Sequence, residues 1–321
     1  MASVEQLPNP RVATTTPSPA VRETASALPL CPLCGSDDTG ITFTDAGCEL
    51  RVCNVCELFF THPYPQSSPQ HEMVHAGKYS EIEILDCGRR YEGERHYYDR
   101  HFRFIDEECK GARSLLDVGC GTGHLLERLR ARPGLHCTGI ELNLQAAQFA
   151  RRVSGCTVYE TPFENFHGEQ RFDVITMINV LSHIPSFDGM FRSLCAALRP
   201  GGKVILRTSE MNAQVSRWNQ LHWGIPDDLH FLGLRTLDFL CAKYGFAVTR
   251  HIRVPFEEEL FLSSRWRQVG RNRFVNLIKA AGVRIPGILP AMKWLYTANL
   301  GQRLFVSFIV LTPLPVAEEH P

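Results

Sequence analysis

A glycine-rich turn and the carboxylate that follows it carry the clearest chemistry in this sequence. Gly119, Gly121 and Gly123 follow a mostly apolar run at 115–118, a pattern that predicts a buried strand, a turn and the start of a helix. A turn built on glycine exposes its backbone, so a ligand can lie directly against the chain. Glu141 ends the next apolar stretch, 22 residues after Gly119, where a carboxylate can accept hydrogen bonds from a ribose diol. Together these residues predict a nucleoside-containing cofactor at the carboxyl ends of a parallel sheet.

The spacing of the glycines and the acid in front of them indicate which cofactor this is. Dinucleotide sites use G-x-G-x-x-G and place a pyrophosphate at a helix N-terminus. Here the spacing is G-x-G-x-G, and Asp117 precedes it. A carboxylate at that point would repel a pyrophosphate but would attract an ammonium group, such as that of the methionine end of S-adenosylmethionine. The sequence therefore favours S-adenosylmethionine over a dinucleotide.

Residues from about 114 to 246 resemble the class I S-adenosylmethionine-dependent methyltransferases. Five landmarks of that family occur in order: Asp117-Val118-Gly119-Cys120-Gly121-Thr122-Gly123, then Glu141, Phe172-Asp173-Val174-Ile175, His183-Ile184-Pro185 and Leu198-Arg199-Pro200-Gly201-Gly202. The resemblance implies an α/β fold with a doubly wound, Rossmann-like sheet of seven strands, in which the last strand runs antiparallel beside the sixth.

Short apolar runs alternate with helical segments after residue 113, and this alternation predicts a parallel sheet covered on both faces. We place strands at 114–118, 136–140, 156–159, 172–178, 203–208, 246–252 and 303–311. We place helices at about 91–109, 123–132, 144–153, 187–198 and 234–244.

The resemblance also implies roles for individual side chains in the cofactor site. Asp117 would bind the amino group of the cofactor, directly or through water, and the three glycines would shape the loop around its methionine moiety. Glu141 would hold the ribose hydroxyls. Leu142 would pack on the adenine, Phe163 would lie at the adenine edge, and Asn179 would lie near the sulfonium.

Two histidines are candidates for a general base in methyl transfer. Such a base should have a pKa near 7, which favours histidine. His183 follows the fourth predicted strand, within Leu-Ser-His where the family often has Leu-Glu-His, so the role of that glutamate does not transfer. His230 lies in the segment 223–231, which resembles the substrate-side loop of small-molecule methyltransferases. The neighbouring Asp227 and Asp228 could set its tautomer, which favours His230 as a base.

Four cysteines near the N-terminus have the spacing of metal ligands. Cys31 and Cys34 form one C-x-x-C pair, and Cys53 and Cys56 form a second pair after eighteen intervening residues. Two such pairs fit four thiolates around one tetrahedral zinc ion. The segment 41–52 between them predicts a short hairpin, and the whole resembles a zinc ribbon. Four sulfur ligands leave no open coordination position, so we expect Zn²⁺ to be structural.

The chain divides into four predicted segments. Residues 1–29 are a disordered leader rich in Pro, Thr, Ala and Ser, 30–62 form the zinc ribbon, and 63–112 form a linker with cap helices. Residues 113–321 form the methyltransferase domain, with a basic amphipathic insertion at about 264–300. That insertion has seven Arg or Lys residues and no acid, which is typical of a lid with a solvated basic face, a peripheral membrane contact, or a clasp for a phosphate-bearing or carrier-linked acceptor.

Composition limits the partners and the location of the chain. The 34 basic and 34 acidic residues cancel, so bulk charge gives no argument for nucleic-acid binding. No apolar run approaches the ~20 residues of a membrane span, and the N-terminus does not read as a signal peptide. We expect a cytoplasmic protein, whose thiols stay reduced. The sequence leaves the oligomeric state open.

These features favour methyl transfer from S-adenosylmethionine to a small-molecule acceptor, a sugar or a secondary metabolite, with oxygen as the favoured target. Three alternatives stay open: an RNA methyltransferase that uses the zinc ribbon for RNA, a sugar C-methyltransferase, and a non-catalytic cofactor-binding protein. The neutral net charge and the absence of a base-flipping motif such as N-P-P-Y argue against RNA.

Overall fold

The computed structural model describes residues 29–45, 47–63, 95–166, 170–211, 228–255 and 305–315. The predicted leader up to residue 28, most of the linker, the substrate-side loop before Asp228 and the basic segment 264–300 lie outside the described residues. Within those described ranges, every helix is too short or too polar to cross a bilayer.

Eleven strands and five α-helices are described, with short 3₁₀ turns at Phe163–Asn165 and Leu181–His183. The strands are β1 (Thr39–Asp45), β2 (Cys48–Cys53), β3 (Phe59–His62), β4 (Ser114–Val118), β5 (His136–Ile140), β6 (Thr157–Tyr159), β7 (Phe172–Ile178), β8 (Leu198–Ser209), β9 (His230–Phe231), β10 (Phe246–Pro255) and β11 (Phe305–Pro313). The helices are α1 (Arg95–Glu108), α2 (His124–Leu129), α3 (Leu144–Ser154), α4 (Phe187–Ala197) and α5 (Thr236–Tyr244).

Seven strands form the main sheet in the order β10-β11-β8-β7-β4-β5-β6. Strands β4 to β8 are parallel to their neighbours in this group. Strand β11 runs antiparallel to both β8 and β10 and lies between them. The predicted Rossmann-like sheet with an antiparallel last strand is therefore confirmed. Its largest boundary error is at β8, which begins at Leu198 rather than residue 203.

Two apolar cores cover the faces of this sheet, because successive side chains of a strand point to opposite faces. Leu115 belongs to the core that also contains Ile105 of α1 and Leu126 of α2. Leu116 belongs to the opposite core, with Met190 of α4. All five residues of β4 are buried, as expected for a central strand of a sheet covered on both sides.

Side-chain caps fix the starts of two helices at the carboxyl edge of the sheet. Asn143 accepts a hydrogen bond from the backbone N–H of Ala146 at 2.9 Å and begins α3. Ser186 accepts one from the N–H of Gly189 at 3.0 Å and begins α4. Such caps satisfy N–H groups that have no partner inside the helix. They also fix the chain directly after Glu141 and before α4, where the candidate site residues lie.

A second, four-stranded sheet has the order β1-β2-β3-β9. Strands β1 and β2 form the hairpin expected between the two cysteine pairs, and β3 pairs antiparallel with β2. Strand β9, from the second half of the chain, pairs with β3. Strands β3 and β9 were not predicted, since strands of four and two residues are too short to show a period. This sheet joins the N-terminal segment to the residues around His230.

Candidate active site and metal centre

A cleft of about 270 Å³ opens at the carboxyl ends of β4, β5 and β7. Residues of five segments line it, at 118–121, 140–142, 161–164, 178–180 and 183–185. Ligands of open α/β sheets bind at this edge, and the volume is near the lower end of the usual range for small-molecule pockets, roughly 300–1,000 Å³. The cleft is the candidate cofactor and substrate site.

The three glycines of the turn are needed for different reasons. Gly119 and Gly121 line the cleft and have positive φ angles of 66° and 54°. A Cβ on Gly119 would lie 2.4 Å from the Val180 side chain, whereas one on Gly121 would meet nothing within 4 Å. Gly123 does not line the cleft, and a Cβ there would lie 2.7 Å from the Cα of Ala150 in α3. Gly123 therefore permits the close packing of two helices, and the other two glycines leave the loop backbone open to the cleft.

Glu141 lines the cleft and joins the glycine turn to the start of α3. One carboxylate oxygen accepts a hydrogen bond from the N–H of Gly121 and the other accepts one from the N–H of Asn143, both at 2.8 Å. Burial raises the pKa of this carboxyl, although the backbone N–H groups around it favour the charged form. The carboxylate therefore fixes the glycine turn and the start of α3 relative to each other.

Asp117 lies behind the cleft wall, where it is only 3% exposed. Its Oδ1 accepts a hydrogen bond from the Thr176 hydroxyl of β7 at 2.7 Å. Burial raises the pKa of Asp117 to about 7, because an unsolvated carboxylate is costly. Of the predicted cofactor-binding residues, Asp117 and Gly123 are the two that do not line the cleft.

Leu142, Phe163 and Asn179 all line the cleft. Asn179 adopts a positive φ of 58° at the end of β7, and its side-chain oxygen accepts a hydrogen bond from the guanidinium of Arg207. Its backbone N–H donates to the Arg207 carbonyl at 2.9 Å. Arg207 was not predicted from the sequence, although an arginine directly after the apolar residues 204–206 of β8 was a usable signal, since a charged side chain within an apolar strand needs a partner.

His183 lines the cleft and lies beside a carboxylate. Its Nε2 is 3.5 Å from Oδ1 of Asp228, and the His183 side chain is 32% exposed. The same Oδ1 accepts a hydrogen bond from the Ser182 hydroxyl at 2.7 Å. A histidine that reaches a cleft and is oriented by a carboxylate has the arrangement of a general base. Sequence reasoning did not pair Asp228 with His183, because 44 residues separate them and the β3–β9 contact was not foreseen.

His230 lies away from the cleft, and the structure does not bring it together with the other candidate residues. Its side chain is 1% exposed, and the ring centroid lies 4.4 Å from that of Phe187. Nε2 lies 3.0 Å from the carbonyl oxygen of Ile184, so this nitrogen carries the proton and donates it. Of the two acids expected to orient His230, Asp228 faces His183 instead, and Asp227 lies outside the described residues.

The cleft wall is acidic. Among the described residues that line it, Glu141 and Glu164 carry acidic side chains, and no Lys or Arg is among them. Such a wall suits a cationic ligand and disfavours a pyrophosphate. This agrees with the preference for S-adenosylmethionine over a dinucleotide that was inferred from Asp117 and the glycine spacing.

The four predicted metal ligands meet at one point of the N-terminal segment. The sulfur atoms of Cys31, Cys34, Cys53 and Cys56 all lie within 4.8 Å of one another, and the Cys31–Cys56 and Cys34–Cys53 sulfurs are each 3.5 Å apart. Zn–S bonds of about 2.3 Å place tetrahedral sulfurs roughly 3.8 Å apart, so the cluster has the size that zinc requires. The hydrogen bond between the Cys31 and Cys56 thiols lowers the pKa of Cys31 and raises the pKa of Cys56, so one proton is shared between them until a metal cation replaces it.

Comparison with known proteins gives one family. The profile described as a methyltransferase domain matches residues 90–251, half of the chain. Ubiquinone biosynthesis O-methyltransferase of Proteus mirabilis is 34% identical over 144 residues, which cover 42% of this chain and 58% of the relative. The protein of the same name from Idiomarina loihiensis is 33% identical over 141 residues, or 40% and 55% of the two chains. The matches therefore span a little over half of these relatives.

One solved structure agrees with the fold over most of the chain. Phosphoethanolamine N-methyltransferase 2 of Haemonchus contortus, in complex with phosphomonomethylethanolamine and S-adenosylhomocysteine, superposes with a TM-score of 0.55. The match covers 80% of this chain and 62% of that one, at 16% identity. At that identity the likeness establishes the fold and leaves the acceptor undetermined.

Proposed function

This chain belongs to the class I S-adenosylmethionine-dependent methyltransferases, and we propose that it transfers a methyl group from that cofactor to an oxygen atom of a small organic acceptor. The observation that carries the proposal is the acidic, glycine-walled cleft, which both Glu141 and His183 line. Relatives that match 40–42% of the chain are named O-methyltransferases, which supports oxygen as the target.

The cofactor would lie along the wall formed by the glycine turn. Gly119 and Gly121 leave room for the methionine moiety, and Glu141 accepts hydrogen bonds from the ribose hydroxyls. Leu142 and Phe163 enclose the adenine. The position of Asp117 behind the wall supports an indirect role, in which its charge attracts the amino group through water and the Gly119–Gly123 turn.

Methyl transfer to oxygen requires the protein to align the acceptor hydroxyl with the methyl group and to remove one proton. When bound, S-adenosylmethionine supplies a methyl group that its sulfonium already activates. His183 would accept the proton of the acceptor hydroxyl as that oxygen receives the methyl group. Because Nε2 faces Asp228, Nδ1 is the nitrogen that takes this proton, and the Asp228 carboxylate stabilises the resulting imidazolium. The buried position of His230 supports a structural role for it.

The four-cysteine cluster would hold one structural Zn²⁺. Four sulfurs at tetrahedral spacing fill the coordination sphere, so the ion stabilises the segment 30–62 and takes no part in methyl transfer. A phosphate-bearing or carrier-linked acceptor, and a peripheral membrane contact, are extensions of this proposal that depend on the basic segment 264–300.

A methyl-transfer assay with His183 variants tests the proposed function. Purified protein is incubated with S-adenosylmethionine and a panel of phenols, catechols, sugars and primary amines, and S-adenosylhomocysteine is quantified by mass spectrometry. We expect product with at least one hydroxyl acceptor. The substitution His183→Gln should lower kcat by roughly 10²–10⁴-fold, the usual contribution of a general base, and leave the Kd for S-adenosylhomocysteine within about twofold.

The matched control is His136→Gln, which changes an exposed histidine at the opposite end of β5 and should leave both quantities unchanged. Equal rates of product formation by His183→Gln and wild type would show that His183 is not the general base. No product with any hydroxyl acceptor, together with methylation of an amine, would replace oxygen by nitrogen as the target.

A further inference from the structure

Strand β3 connects the metal-binding hairpin to the residues that face His183. On one side it pairs with β2, which ends at the metal-ligating Cys53. On the other side it pairs with β9, with Phe59 opposite Phe231 and Phe60 opposite His230. The ribbon and the chain that carries Asp228 and His230 are therefore joined by one continuous sheet, in which β3 lies between β2 and β9.

Thr61 of β3 makes two hydrogen bonds to the chain directly before β9. Its backbone N–H donates to the carbonyl of Leu229 at 2.8 Å, and its hydroxyl donates to the carbonyl of Asp228 at 2.9 Å. Thr61 is only 1% exposed, so water does not compete for these bonds. Both the main chain and the side chain of Thr61 thus hold Asp228 in place.

The segment that Thr61 holds, residues 228–230, is in turn hydrogen-bonded to the residues on both sides of His183. The N–H of Leu229 donates to the Ser182 carbonyl at 2.8 Å, and the Asp228 carboxylate accepts from the Ser182 hydroxyl at 2.7 Å. One residue further on, His230 Nε2 bonds to the Ile184 carbonyl at 3.0 Å. Bonds to both neighbours of His183, and the contact of its own ring with Asp228, fix the imidazole at the cleft.

We infer that Thr61 is a positioning residue for methyl transfer: through Asp228 it fixes His183 at the cleft, which makes the N-terminal ribbon a part of the active site. This inference rests on the proposed role of His183 as the base. It gives the ribbon a function beyond its own folding, because β3 pairs with β2 of the ribbon on one side and with β9, next to Asp228, on the other. A base displaced by as little as 1 Å can lose much of its effect on the rate.

The test compares three threonine substitutions in the full-length, zinc-loaded protein. Thr61→Val removes the hydroxyl at nearly constant shape, and Thr61→Ser restores it. Thr42→Val is the matched control: Thr42 lies in β1 of the same ribbon, and its hydroxyl donates to the Leu50 carbonyl at 3.0 Å, a bond within the ribbon. We expect Thr61→Val to lower kcat on the order of 10–100-fold, with KM for S-adenosylmethionine, the Kd of S-adenosylhomocysteine and the zinc content unchanged.

Thr61→Ser should recover at least half of the kcat, and Thr42→Val should match wild type. A kcat of Thr61→Val within twofold of wild type, or an equal loss in Thr42→Val, would overturn the inference. Should Thr61→Val fold poorly, Ser182→Ala offers a second route, since it removes the other hydrogen bond that orients Asp228 without touching the ribbon. It should lower kcat with KM and zinc content unchanged, and a kcat equal to wild type would contradict the positioning argument.

A second readout needs no acceptor and so separates this inference from the proposed function. The imidazole ¹H–¹³C signals of His183 are assigned by their loss in His183→Gln and recorded with S-adenosylhomocysteine present. We expect them to move in Thr61→Val and to stay at their wild-type positions in Thr42→Val. Unmoved signals in Thr61→Val would overturn the coupling even if methyl transfer is confirmed, and moved signals would support it even if no acceptor is found.

Discussion

At the scale of single residues, the cleft depends on two carboxyl groups that have different surroundings. Glu141 lines the cleft and accepts hydrogen bonds from two backbone N–H groups. Asp117 lies behind the cleft wall and bonds to Thr176. The first can contact a ligand directly, and the second acts through its charge and through the turn that it supports.

Replacing Glu141 by alanine should weaken cofactor binding. The substitution removes the proposed ribose contacts and leaves the N–H groups of Gly121 and Asn143 without their carboxylate. We expect a loss of about 1–3 kcal/mol, the value for a hydrogen bond to a charged group, which is roughly 5–150-fold in Kd. Calorimetric titration with S-adenosylhomocysteine measures it. Glu160→Ala, which changes an exposed carboxylate one residue after β6, is the control, and equal Kd values for the two variants would show that the ribose lies elsewhere.

Asp117 should make the stability of the cofactor-free protein depend on pH. Its folded-state pKa of about 7 exceeds the value of about 3.9 for an unfolded chain, so the folded state binds the proton more tightly. The stabilisation is complete below pH 4 and is lost as the pH rises from 4 to 7. Asp117→Asn keeps an oxygen for Thr176 and cannot ionise.

The difference in free energy of unfolding between wild type and Asp117→Asn should therefore change by a few kcal/mol between pH 4 and pH 8, to the disadvantage of wild type at the higher pH. Denaturant titrations at each pH measure this difference. A difference that does not vary with pH would mean that Asp117 has an ordinary pKa.

At the scale of secondary-structure elements, the sequence was most informative where strands are long or motifs are dense. Strands β4, β5 and β7 and the glycine turn were predicted because apolar runs end in residues that only a turn accommodates. The starts of α3 and α4 follow from the caps Asn143 and Ser186. Strands β3 and β9 could not be predicted, since their pairing joins residues about 170 positions apart and a two-residue strand has no period. The contact between Asp228 and His183 was not predicted for the same reason.

The packing of α2 against α3 should be sensitive to a single methyl group at Gly123. This glycine has a positive φ of 77°, and a Cβ there would lie 2.7 Å from the backbone of Ala150. Gly201, with a φ of 75° and no atom within 4 Å of its Cβ position, is the matched control. We expect Gly201→Ala to cost roughly 1–2 kcal/mol from backbone strain alone.

Gly123→Ala should cost at least about 1–3 kcal/mol more, because overpacking adds to the same strain. Chemical denaturation of the two variants gives the comparison. Equal losses in the free energy of unfolding would show that α2 and α3 accommodate the added methyl group without strain. Gly123 would then be needed for the conformation of the turn and not for the helix packing.

At the scale of the whole molecule, the N-terminal ribbon and the main sheet are joined by more than a linker. Strand β9 completes the ribbon sheet, the Thr236 hydroxyl donates to the Cys56 carbonyl at 2.9 Å, and Lys243 Nζ donates to the Leu33 carbonyl at 2.9 Å. Three of the four candidate ligand cysteines belong to the same apolar core as Leu116 of β4 and Met190 of α4. We therefore propose that the predicted boundary near residue 62 divides the sequence but not the folding unit.

Loss of the metal should consequently destabilise the entire described fold. We expect Cys34→Ser to lose zinc, measured by atomic emission, and to unfold in one calorimetric transition at a lower Tm, by ~2–4 °C for each kcal/mol lost. Cys195→Ser, which changes an exposed cysteine on α4, should retain both zinc and Tm. A separate low-temperature transition for the ribbon, with the main transition unmoved, would show two independent units.

The cleft at the carboxyl ends of β4, β5 and β7 should bind S-adenosylmethionine and not a dinucleotide. Calorimetric titration of the purified, acceptor-free protein with S-adenosylhomocysteine, and separately with NADH, is the decisive test of this cofactor assignment. The acidic wall and the G-x-G-x-G turn predict one site for S-adenosylhomocysteine and no heat with NADH. Binding of NADH with no response to S-adenosylhomocysteine would contradict the cofactor assignment and, with it, the methyl-transfer function.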